Sequence, residues 1–188
     1  LSDRQGSREN ILDFARRAAE DVEKGGRLWF VFIGHGAPSK EGEDGLLVGM
    51  DARGSADSLA ARGVTQKRLL EELNAGDQSE TVVVLDACFS GRAQGGEALV
   101  EGAQPVVPVV EPEIESNTTI LSAAKAEEVA GALPGADRPA FSYLLLGALR
   151  GWADDGDGTV TTSEALTWTR KKLRLVPGRQ QTPELFGR

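Results

Sequence analysis

Cysteine and histidine are almost absent from this chain: its 188 residues hold one of each, Cys88 and His35. A single cysteine excludes an internal disulfide and points to a reducing compartment, so a cytoplasmic location is expected. No apolar run reaches the length of a membrane span, and nothing reads as a signal peptide, although the chain opens on Leu1 rather than Met. Positive charge is also scarce. Lys and Arg number 21 against 29 Asp and Glu, for a net charge of −8. That balance argues against nucleic acid and anionic membrane surfaces as partners, and mildly favours a cationic substrate. What remains is ordinary for a globular protein, 40% apolar and 27% charged, in a length that makes one domain over residues 1–188.

Elements follow one another as helices and apolar strands. Ser7 can cap a first helix whose stripe is Ile11, Leu12, Phe14, Ala15, Ala18, Ala19 and Val22, ended by Gly25-Gly26. Residues 28–33 form a continuous apolar run, as a buried parallel strand does. Residues 37–45 read as a loop and 45–49 as a short strand or hairpin arm. Thr65 caps a second helix carrying Leu69, Leu70 and Leu73. Residues 81–86 are the second core strand, 91–117 a long surface excursion, and Thr118 to Ser122 a third strand. A buried helix is expected over Phe141–Trp152. A last one runs from Thr162 to Leu173, with Thr161 and Glu164 at capping-box spacing. The pattern predicts an α/β fold, a three-layer α/β/α sandwich around a mostly parallel central sheet, with right-handed crossovers.

The two rare residues end the two strongest strands. His35 closes Leu28-Trp29-Phe30-Val31-Phe32-Ile33-Gly34-His35-Gly36, and Cys88 lies in Leu85-Asp86-Ala87-Cys88-Phe89-Ser90-Gly91. Ligands of open parallel sheets bind beyond the carboxyl ends of the strands, so the fold would bring thiol and imidazole together. Taken singly, each is more often a structural residue; the pairing with glycine-bearing turns favours a catalytic one. An imidazole beside a thiol activates a nucleophile and can protonate a leaving amine. A thiol phosphatase would need Arg where the chain has Gln94, and a redox thiol would need a second cysteine.

With Ile33-Gly34-His35-Gly36 and Asp86-Ala87-Cys88-Phe89-Ser90-Gly91 in view, the chain resembles the caspase-like cysteine peptidases (peptidase C14), closest to the prokaryotic caspase homologues and metacaspases. The histidine lies about 50 residues upstream of the cysteine, as in caspases. The resemblance extends over nearly the whole chain, to the Ala-Asp-Asp-Gly-Asp-Gly stretch and Gln181-Thr182-Pro183. It implies that Cys88 is the nucleophile and His35 the general base and acid, with the amides of Gly36 and Cys88 as the oxyanion hole. Asp44 or Asp51 could assist the imidazole, though each also suits a loop or turn. The chemistry itself requires no cofactor.

Asp86 stands two residues before the nucleophile and so shares its side of the strand. The resemblance implies that it lines the pocket for the residue before the cleaved bond (P1) and receives Arg or Lys; the bland alternative is that it caps a neighbouring turn. A protein or peptide with a basic P1 residue is then the expected partner. Arg92 is the only Lys or Arg in the linker before Lys125, and it lies too close to Cys88 to reach the sulfur, so self-cleavage within 93–117 is not expected.

Two further expectations come from the acidic loop and the N-terminus. Setting Gly158 at the sixth position of an EF-hand-like loop puts Asp155, Asp157 and Glu164 at ligand positions for calcium, but Ala153 falls where the first carboxylate is needed. A tight Asp/Gly turn before a capped helix explains the same residues. The resemblance also implies a strand before the first helix, and none is legible here. The domain is therefore expected to be N-terminally incomplete, with an upstream segment or chain completing the sheet and covering an otherwise apolar edge. A caspase-like fold serving as a non-catalytic interaction module is the alternative to an endopeptidase.

Overall fold

The computed structural model describes residues 1–40, 42–89, 116–125, 127–136 and 138–187. The long excursion expected at 91–117, with Arg92, falls almost wholly outside the described residues. Four strands form the main sheet in the order β1 (Arg27–Ile33), β5 (Glu80–Asp86), β6 (Thr118–Ser122) and β7 (Glu184–Gly187). The first three run parallel and β7 is antiparallel to β6. β1 and β5 are in register from Arg27 opposite Glu80 to Ile33 opposite Asp86, so their carboxyl ends finish together.

Helices cover both faces, as the alternation of elements requires. On one side α1 (Arg8–Asp21) and α3 (Gln66–Leu73) bury Ile11, Ala15, Leu69 and Leu73 against Phe30, Val83, Leu85 and Ile120. On the other, α4 (Ala140–Gly147) and α5 (Thr162–Leu173) bury Phe141, Leu145, Ala165 and Leu166 against Val82, Val84 and Leu121. Ser7, Thr65 and Thr161 each accept a hydrogen bond from the backbone N–H three residues on, and Thr161 with Glu164 closes the expected capping box. No helix among the described residues is long and apolar enough to cross a membrane.

The short strand or hairpin arm expected at 45–49 is present as a strand, and the structure corrects the reading around it. Part of the expected loop is a strand: β2 (Gly36–Pro38), β3 (Gly45–Val48) and β4 (Gly63–Thr65) make a small antiparallel sheet, with α2 (Ala56–Arg62) between the last two. The helix expected at 141–152 is also not continuous. It passes from α4 into a π-helical turn at Ala148–Trp152, where Gly151 takes φ +108°. Glycine is the residue that reaches this conformation without a Cβ penalty.

Among the described residues β1 pairs on one edge only, with β5. Side chains of register partners in a parallel pair point to the same face, so Trp29, Val31 and Ile33 continue the row of Val82, Val84 and Asp86. Val82 and Val84 are buried under α4 and α5, whereas Val31 and Ile33 are each 54% exposed.

Candidate active site

β1 and β5 end at Ile33 and Asp86, and each chain then runs two residues further to reach His35 and Cys88. The ladder persists just beyond the last pair, Gly34 N–H donating to the Asp86 carbonyl at 3.2 Å. The imidazole-bearing and thiol-bearing turns lie side by side at the carboxyl edge of the sheet. Glycine at position 36 permits the contact. A Cβ there would fall 2.7 Å from the Cys88 carbonyl oxygen and 2.9 Å from the Phe89 ring. Gly36→Ala is accordingly expected to push the two turns apart, costing about 1–3 kcal/mol by overpacking. Thermal unfolding should show the loss, together with slower alkylation or hydrolysis at Cys88 relative to the wild type.

The cysteine is half-buried and its sulfur is held by main chain. Cys88 Sγ donates to the Ala130 carbonyl at 3.1 Å and accepts from the Ala130 N–H at 2.9 Å. Burial pushes the thiol above its ordinary range, the Asp86 charge adds to that, and the Ala130 N–H opposes it. The resting group is therefore a neutral thiol. His35 is exposed, and among the described residues its ring makes no hydrogen bond. It lines a cleft of about 440 Å³ with Phe30–Gly34, Val48–Met50 and the first residues of the chain.

Asp86 is 5% exposed and points to the α4 side, as does Cys88. Its Oδ2 accepts from Ser142 N at 2.8 Å and from Ser142 Oγ at 2.5 Å. α4 begins at Pro139, which offers no side-chain cap, so the carboxylate from β5 satisfies an amide of its first turn. The capping alternative raised for this residue is thus realised. Burial still raises its proton affinity, opposed by the two Ser142 bonds and by the charge of Arg179. One role does not preclude the other, since Ser142 engages Oδ2 alone.

Neither aspartate considered as an imidazole partner meets it. Asp44 Oδ2 accepts from Lys67 N at 3.2 Å, and Asp51 Oδ2 from Arg62 Nη1 at 2.8 Å. In the acidic loop, carboxylate oxygens of Asp154, Asp155 and Asp157 cluster within 4.8 Å, all exposed. Asp154, one residue out of EF-hand register, replaces Glu164 in that group. Asp154 Oδ1 accepts from Gly156 N and Gly158 N, which makes the tight turn, while Glu164 Oε2 accepts from Thr161 N and Thr161 Oγ1. Sequence reading missed Arg179 in the segment before β7, whose guanidinium bonds the Gly131 and Ala132 carbonyls next to Ala130. An arginine two residues before Gln181-Thr182-Pro183 carries no signal by itself.

A parallel α/β sheet with histidine and cysteine at adjacent strand ends defines the class of caspase-like folds. The sequence matches the caspase domain of peptidase C14 over residues 2–187. The chain belongs to that family, whose members are cysteine peptidases acting on protein substrates. Among solved structures it is similar to the protein GSU0716 of Geobacter sulfurreducens, with TM-score 0.66 and 15% identity over 99% of this chain and 75% of that one. It is also similar to caspase-1 of Spodoptera frugiperda, with TM-score 0.58 and 16% identity over 95% of this chain and 67% of that one. No curated protein matches the sequence.

Proposed function

We propose that this protein is a cysteine endopeptidase that uses a His35–Cys88 dyad and cuts after Arg or Lys. The observation that supports the proposal is the register of β1 and β5, which ends both strands level two residues before His35 and Cys88. Cys88 gives its proton to the His35 imidazole as the sulfur attacks the substrate carbonyl. The amides of Gly36 and Cys88 receive the oxyanion. The imidazolium then protonates the departing amine, leaving a thioester on Cys88, and the same histidine takes a proton from the water that hydrolyses it. Substrate must first draw the thiol away from the Ala130 carbonyl that now accepts its proton.

The basic P1 preference rests on Asp86, a buried carboxylate on the same strand and face as the nucleophile. Its charge suits a guanidinium or ammonium and repels an acidic side chain. The test is a fluorogenic peptide series with Arg, Lys, Gln or Asp at P1. Hydrolysis confined to Arg and Lys is expected; preference for Asp overturns the specificity, and hydrolysis of none favours the interaction-module alternative. No step is routed through a metal, so EGTA or added calcium is expected to leave the rate on the Arg peptide unchanged within about twofold. A larger change would assign the Asp154, Asp155 and Asp157 cluster a part in activation.

A further inference from the structure

The main chain against the Cys88 sulfur is held from two sides: a bridge pairs Ala132 with Pro139, Ala140 N–H donating to the Gly131 carbonyl at 2.9 Å, and the segment before β7 grips it from the other. Arg179 Nη1 donates to the Gly131 carbonyl at 2.8 Å and to Gln181 Oε1 at 3.0 Å, and Nη2 donates to the Ala132 carbonyl. The next residues continue the lacing. Gln181 is 5% exposed and its Nε2 donates to the Ala123 carbonyl at 3.1 Å. Thr182 donates through N at 2.5 Å and Oγ1 at 2.9 Å to the Glu128 carboxylate. The approach to β7 therefore holds Ala123, Glu128, Gly131 and Ala132. Arg179 grips the chain nearest the sulfur, on the two residues that follow Ala130.

We propose that Arg179 is a positioning residue of this site: its guanidinium fork holds Gly131 and Ala132 so that Ala130 stays on the Cys88 sulfur. Lysine could supply the charge but not the planar fork that takes two carbonyls and Gln181 at once.

Cys88 is the only cysteine, so its alkylation by iodoacetamide reports the Ala130 contact directly and without any peptidase activity. Arg179→Gln is expected to speed alkylation roughly tenfold, the factor carried by a charge-assisted hydrogen bond, with Arg179→Lys in between. Alkylation at the wild-type rate in a folded Arg179→Gln protein overturns the proposal. Should that variant fail to fold, Arg179→Lys decides: faster alkylation supports the hold on the sulfur, and alkylation at the wild-type rate refutes it. If the wild type cleaves no peptide while Arg179→Gln alkylates faster, the peptidase reading fails and the hold on the sulfur stands.

Discussion

Cys88→Ala is expected to reduce hydrolysis of an Arg-terminated peptide to background, a loss of roughly 10⁴- to 10⁶-fold as for other covalent nucleophiles. The size follows from the chemistry: alanine cannot form the thioester, so binding and the oxyanion amides are all that is left. The fold should barely register the change. The sulfur makes two weak hydrogen bonds, both with Ala130, and losing them costs about 1 kcal/mol in thermal unfolding. His35→Ala should fall to a similar plateau, and the double variant no further, because thiol and imidazole act as one unit. A Cys88→Ala protein keeping even one per cent of the wild-type rate would remove the thiol from the mechanism. The neutral resting thiol agrees with this scheme, since its proton is to leave for His35 during attack rather than beforehand.

The parts of the fold legible in sequence were those with long periodicity or a chemically loud end. α1, α3 and α5 each carry a stripe of apolar residues behind a Ser or Thr cap, and β1 and β5 are unbroken apolar runs. Of the small sheet only β3 was legible, as the short strand or hairpin arm at 45–49; β2 and β4 are three residues long and contain Gly36, Pro38 and Gly63, which read as turns. α2 carries one buried apolar residue, Leu59, too few for a stripe. β7 is a four-residue edge strand whose pairing with β6 is a long-range choice. Within the site, strand ends and same-face relations were predictable from a period of two. The hold of Ala130 on Cys88 and of Ser142 on Asp86 came from chain segments tens of residues away, which no local pattern specifies.

The exposed row on β1 links the fold to the site. Val31 and Ile33 stand beside Val84 and Asp86 in the same plane, but only the β5 members lie beneath α4 and α5.

Asp86→Asn is expected to lower kcat/KM for an Arg-P1 peptide by about 100-fold and to leave a citrulline-P1 peptide nearly unchanged. Asparagine keeps an oxygen that can accept from Ser142 N and Oγ, so the first turn of α4 retains its partner. What is lost is the charge, and a charge-assisted pair with a guanidinium carries about 1.5–3 kcal/mol. Stability should move the other way. Burial raises the proton affinity of Asp86 in the folded chain above that of the unfolded one. A carboxyl raised in this way contributes stability that is present at low pH and lost as pH rises through its folded value. At neutral pH the ionised group is thus a burden on the fold, and Asp86→Asn should melt at or above the wild-type temperature. A lower melting temperature with the preference for Arg intact would make Asp86 only the cap of α4. An equal or higher one with the preference lost would show that the charge is held in this buried position for recognition of the substrate.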